Sequence, residues 1–235
     1  MNNRNGRFSP MKRPLRTTLT GIIAVFLSAW LAVAATAAEE QRAFPAPGSW
    51  QFSFKPGASY ISYFLKGNVH DTLGYVRDMQ GSASATIVPD GRMNSAGVQF
   101  AFAAQEMKSN DEARDKRMYK KFMETHLYPE ISFTGKSAGT GLEQAAALAG
   151  ATKEQPIAFD LAGTLAIHGT TRNITIPMTA YPENGLLIAE GTTTLQLPDY
   201  NIKNPSWLVM RTVDLVKIDF HIELRPEPQA LQPST

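Results

Sequence analysis

The sequence has no cysteine. That absence excludes a disulfide framework, a thiolate metal site and a cysteine nucleophile together. Histidine is scarce too: His70, His126, His168 and His221 are the four, and their spacing holds no HExxH or comparable metal motif. A G-x-S-x-G elbow, a P-loop and a G-x-G-x-x-G loop are all missing, and with them the usual marks of a hydrolase, a phosphotransferase or a dinucleotide-binding enzyme. A basic surplus is missing as well. The formal charge of +2 over 235 residues misleads, because Arg4, Arg7, Lys12, Arg13 and Arg16 precede every acidic residue. Without those five the balance is 18 basic against 21 acidic residues, a net of −3. A mildly acidic body with no basic stripe argues against nucleic acid as partner.

What is present begins with an export signal. Residues 1–37 combine a basic start, an apolar run through Ile22, Val25, Phe26, Trp30 and Val33, and a small-residue end. Ala35-Thr36-Ala37 fits the small-x-small rule, so cleavage is expected after Ala37, with Ala38 as second choice. An uncleaved anchor is the alternative, since the run from Thr18 to Ala38 nearly reaches the ~20 residues that span a bilayer. The crowded small residues, with no basic stop directly after them, favour cleavage. Arg13 and Arg16 are not adjacent, which gives no twin-arginine signal. The expected destination is the periplasm. Residues 38–49 then form a Pro-rich lead-in, 50–225 the folded domain, and 226–235 a tail expected to be disordered.

The folded domain reads as β throughout its first half. Trp50, Phe52 and Phe54 alternate, Pro56-Gly57 interrupts, and Tyr60 to Leu65 resumes. Ser82 to Val88 is a weaker strand ended by Pro89-Asp90-Gly91, and Val98, Phe100 and Phe102 make a clear one. Phe159 to Ala180 is the plainest hairpin. Phe159, Leu161, Gly163, Leu165 and Ile167 share one phase, and after the polar segment His168 to Asn173 the alternation returns in Ile174, Ile176 and Met178. Leu186 to Ala189, Thr192 to Leu197 and Val213 to Leu224 follow, with Ile131 to Phe133 earlier. Pro177 cannot donate to a ladder and predicts a bulge or strand end. Eight or nine strands with one helix favour an all-β antiparallel barrel or sandwich, and closure removes the exposed edges.

The helix is expected over about 112–125. Ser109-Asn110-Asp111-Glu112 reads as a capping box, Met118, Phe122 and Met123 share a face, and Tyr128-Pro129 forbids continuation. Ala138 to Gln155 reads as a long loop, with a short helix over Leu142 to Leu148.

Three stretches carry a family resemblance: ARDKRMYKKFMETHLYPEISF (Ala113 to Phe133), LAGTLAIHGTTRNITIPMTA (Leu161 to Ala180), and LQLPDYNIKNP (Leu195 to Pro205) followed by Val213 to Ile218. In order and spacing the chain from about Trp50 to Leu224 resembles the YceI-like, polyisoprenoid-binding family of exported β-barrel proteins. It departs from the usual pattern in the length of Ala138 to Gln155 and in GNVHDTLG around His70. The resemblance implies an eight-stranded, lipocalin-like barrel whose interior holds a long isoprenoid chain, such as a quinone tail or a polyprenyl phosphate. It implies no catalytic residue and no cofactor beyond a bound isoprenoid lipid or quinone.

The residues allow such a cavity without requiring it, since a barrel of this size can be filled or left open around one ligand. The candidate lining comes from the hairpin (Phe159, Leu161, Gly163, Leu165, Ile167, Ile174 and Ile176) together with Phe100, Phe102, Phe133, Phe220 and Ile222. Gly163 would leave room among them. Met107, Met118, Met123 and Met178 suit either a flexible tail or gap-filling. His70 and His168, near strand ends, are the candidates for the mouth. His221 and Glu223 read as a solvated outer face and His126 as a helix-end residue. Arg114 and Asp115 read as loop or cap partners. The expected partner is an isoprenoid lipid, with transient membrane or membrane-protein contact and a homodimer left open. Two rival readings remain at this point: a filled barrel that docks a membrane redox or envelope partner, and an enzyme acting on a prenyl head group.

Overall fold

The structure, a computed structural model, describes residues 44–137, 147–206 and 211–227. The expected export signal and most of the loop helix expected over 142–148 lie outside those residues, as does the tail from 228 onward. Ten strands form one antiparallel sheet: β1 (Gly48–Phe54), β2 (Tyr60–Gly67), β3 (Thr72–Val76), β4 (Gln80–Ile87), β5 (Met93–Ala103), β6 (Glu130–Ser137), β7 (Ile157–Ile167), β8 (Thr170–Glu183), β9 (Leu186–Gln196) and β10 (Thr212–Pro226). Among the described residues one α-helix, α1 (Glu112–Lys121), lies between β5 and β6.

The order β1-β4-β5-β6-β7-β8-β9-β10 returns to β1, which makes a closed eight-stranded barrel. β2 continues β1, and β3 leads into β4, as the halves of two kinked strands. β10 offers one edge to β9 for most of its length. Its other edge is shared: Leu224 to Pro226 pair with β1, and Val216 to His221 pair with β2. The break at Pro56-Gly57 is what lets one edge of β10 take both. Gly57 has φ +74°, which a side chain would strain, and the Lys55 N–H still donates to the Glu223 carbonyl at 2.8 Å. Beyond the matching kink, the far edge of β3 is bridged among the described residues only at Tyr75 and Lys108. The wall there is completed by α1 and the segment leading to it.

Two turns are shorter than the residue pattern suggests. Between β7 and β8 the loop is His168-Gly169 alone (φ 51° and 70°), and Thr170 to Asn173 already belong to the ladder. Between β8 and β9 it is Asn184-Gly185 (φ 51° and 76°). Two left-handed residues in succession are the hallmark of the tight turn whose twist matches paired strands. Pro177 does not end its strand, which pairs with β7 from Ala180 to Thr170. It does end the ladder on the other side, since β8 and β9 are paired only from Met178 and Gly191 to Glu183 and Leu186.

One end of the barrel is stoppered. Trp50, Ile87, Met93, Leu148 and Ile157 are buried there, and the lead-in folds back over them. The Phe44 ring meets Trp50 and Phe52 edge-on at 5.3 and 5.4 Å, and the Trp50 indole N–H donates to the Ala46 carbonyl at 2.8 Å. Leu148 opens a single 3-10 turn, Leu148–Gly150, and its N–H donates to the Gly91 carbonyl at 2.7 Å.

Candidate functional site

The inward-facing residues divide along the barrel axis. On β10, Val216 and Ile218 lie toward the open end, and Phe220, Ile222 and Leu224 toward the stoppered end. On β6 the step is from Ile131 to Phe133, and on β9 from Leu195 to Ala189 and Leu187. Each set borders a different cavity. The inner one is about 60 Å³ and lined by apolar side chains. The outer one, beneath α1, is about 530 Å³. Between them lies a layer of rings. Phe100 is central, 5.5 Å from Phe133, 6.3 Å from Phe102 and 6.4 Å from Phe220.

The outer chamber takes its floor and walls from Tyr63, Leu65, Ile131, Ile167, Leu195, Val216 and Ile218, and its cover from Met118, Phe122 and Met123. Tyr63 sits against Gly74, where a methyl group would run into its ring. Burial, and then the Asp115 carboxylate, hold its phenol well above the ordinary tyrosine range, so Tyr63 stays neutral. Its hydroxyl lies 3.8 Å from the Met118 sulfur.

The cover is fixed at both ends. Asp111, not Ser109, is the N-cap, accepting from the Arg114 N–H at 2.9 Å. Ser109 turns to the buried Asp115 carboxylate, donating its N–H at 2.9 Å and its hydroxyl at 2.6 Å. The helix stops at Lys121, four residues before the expected end, with Phe122 as its C-cap. Past it, the Glu124 carboxylate lies 3.0 Å from His168 Nε2.

His168 is therefore not a mouth residue. It is 7% exposed, its Nδ1 lies 3.2 Å from the Tyr200 carbonyl oxygen, and its ring packs on Tyr128 with centroids 4.4 Å apart. It ties the β7–β8 turn to the segment after α1 and lines neither chamber. His70 does border the outer chamber and is exposed. His221 lies on the outer face, 2.9 Å from Glu190 and stacked on Tyr60 at 5.1 Å.

The other expected lining residues are dispersed. Phe100, Phe133, Phe159, Leu161, Ile176, Phe220 and Ile222 surround the small inner cavity. Ile167 reaches the outer chamber. Phe102, Gly163, Leu165 and Ile174 line neither. Gly163 does not open space for a ligand: a methyl there would strike the Thr134 carbonyl, the Gly135 backbone and the Phe133 ring. Its role is close approach of β6 and β7, with Phe133 laid over the gap. Most of the outer chamber was not anticipated, although Ile131, Val216 and Ile218 continue the same alternation as Phe133 and Phe220, and Met118, Phe122 and Met123 were readable as one helix face.

Among the described residues no group of three or more His, Asp or Glu side chains could hold a metal ion. The arrangement is an apolar vessel with a polar rim, suited to enclosing a chain by burial of its surface.

Comparison with known proteins agrees with the architecture. The protein is similar in fold to BcnA of Burkholderia cenocepacia, at 17% identity and a TM-score of 0.56, over 72% of this chain and 98% of that one. It is similar to the same degree, 17% identity and TM-score 0.56, to a polyisoprenoid binding domain from Saccharophagus degradans implicated in plant cell wall breakdown, over 75% of this chain and 98% of that one. Likeness at that identity shows the fold alone. No curated protein sequence matches the chain. The YceI-like domain model matches residues 52–224, nearly the whole folded region. The chain belongs to the YceI-like family.

Proposed function

We propose that this protein is a non-catalytic carrier that holds an isoprenoid chain in its outer chamber, exported to the periplasm by its N-terminal segment. The observation that carries the reading is a cavity of about 530 Å³ at one end of the barrel, walled largely by aliphatic side chains and covered by a methionine-bearing helix. Burying each CH₂ of a tail is worth roughly 0.8 kcal/mol, so an apolar chain needs no directional polar site to bind. Met107, Met118 and Met123 give that wall side chains that adapt to an irregular, branched tail. Similarity in fold to the polyisoprenoid binding domain from Saccharophagus degradans supports the choice of ligand class. The test is lipid extraction and mass spectrometry of protein purified from its native compartment. An isoprenoid recovered in stoichiometric amount is the expected result. No recovered apolar ligand, together with no binding of an added prenyl quinone, refutes the reading.

A further inference from the structure

Resting on that reading, we propose that the outer chamber selects chains with an anionic head group, a phosphate or a carboxylate, over neutral ones. The rim carries Arg114 and Arg117 from α1, Lys203 from the segment after β9, and Arg211 just before β10. Asp111 is the one acidic residue among the described residues that line this chamber. Its charge is already engaged, capping α1 and lying 3.5 Å from the Arg114 guanidinium. The ion pairs formed among the described residues engage none of Arg117, Lys203 and Arg211.

The four basic side chains thus converge on an apolar hole in a domain whose balance outside the first 37 residues is net acidic. Their placement is held by the backbone. The Arg211 N–H donates to the Asn68 side-chain oxygen at 2.7 Å, and its carbonyl accepts from the Asn68 N–H at 2.9 Å. That exchange locks the β2–β3 loop and the approach to β10 side by side, with Arg211 beside the opening. Arg117 lies with its guanidinium 5.8 Å over the Phe122 ring, so its charge stands directly above the apolar cover. A neutral quinone ring gains little from this arrangement, because cations without an anion prefer water. An anionic head gains charge-assisted hydrogen bonds that arginine can make in bidentate form. The tail can then stay buried beneath it.

Direct binding of four probes to the full domain tests this: geranylgeranyl phosphate, palmitate, geranylgeraniol and a neutral prenyl quinone with a tail of four units. The phosphate should bind at least ~10-fold more tightly than the alcohol of the same chain. That gap should shrink as salt is raised, because exposed charges are screened. Replacing Arg117, Lys203 and Arg211 by Gln together should close most of the gap between the phosphate and the alcohol. Palmitate binding as tightly as the phosphate, despite its shorter tail, assigns the preference to negative charge in general and upholds the proposal. Equal binding of phosphate, alcohol and quinone overturns it while leaving the carrier reading intact. If none of the four binds, the carrier reading itself falls.

Discussion

The ring layer between the two chambers sets how long a chain the barrel accepts, and Phe100→Ala tests that directly. At about 30 Å³ per small group, the share of one molecule in liquid water, 530 Å³ holds on the order of 18 carbons, or between three and four isoprene units. Affinity in the wild type should therefore rise with tail length to about four units and then level off. Removing the Phe100 ring deletes about six carbons at the centre of the layer and joins the gap to the inner cavity of about 60 Å³. The new space takes one further unit. Burying its five carbons is worth up to ~4 kcal/mol, and ordering its bonds costs about 1–2 kcal/mol. A net gain of roughly 2 kcal/mol, near thirtyfold in Kd, is expected for chains of five units or more and none for shorter ones. The protein should lose about 3–5 kcal/mol of stability, which lowers Tm by on the order of 10 °C for a domain of this size. The assay is calorimetric titration with prenols of three to six units, with circular dichroism to establish that the variant is folded. A wild type whose affinity keeps climbing past four units, or a folded variant whose plateau has not moved, refutes the reasoning.

Other consequences are nearer to single contacts. The Tyr200 hydroxyl is buried with no hydrogen-bond partner among the described residues, so Tyr200→Phe should leave the stability unchanged or raise it by up to ~1 kcal/mol; a clear loss on thermal melting means that the hydroxyl has a partner. His168→Ala removes the tie between Glu124 and Tyr200 and puts alanine at φ 51°, for a loss of about 2 kcal/mol. Amide hydrogen exchange should speed up in the segment after α1, and equal exchange rates contradict the tie. Gly163→Ala, which drives a methyl into the Thr134 carbonyl, should cost at least ~2 kcal/mol in denaturant unfolding. Glu223 is held below the usual carboxylate range, first by the hydrogen bond from Lys55 at 2.7 Å. A lowered folded-state pKa contributes stability that is present above the unfolded value and disappears on acidification through the folded one. Glu223→Gln should therefore cost about 0.5–1 kcal/mol at neutral pH and nothing in acid; a pH-independent difference contradicts that assignment.

The alternation of Phe159 to Ile167, and of Phe220 with Ile222, made the strands and their inward faces legible, because a period of two needs no tertiary knowledge. The helix was legible from Met118, Phe122 and Met123. Its cap was misplaced because Ser109 and Asp111 compete for one role, and Asp115, which decides between them, is buried by contacts remote in sequence. The chamber itself was less legible. Whether an inward side chain meets a ligand or another side chain depends on its height along the barrel axis, and that height is fixed by registers such as Phe220 opposite Gly191. A residue-type pattern carries no such coordinate. His168 looked like a rim residue because it adjoins a strand end, while its partners Glu124 and Tyr200 are 44 and 32 positions away.

The shared edge of β10 bears on how the protein is made. The ring cannot be completed until the last strand arrives to clasp the first two, across a separation of some 160 residues. Until then the opening hairpin waits with an unmet row of amides and carbonyls, the kind of surface that recruits neighbouring chains. Slow maturation and a need for sequestration during synthesis are built into the same seam that finally closes the barrel wall.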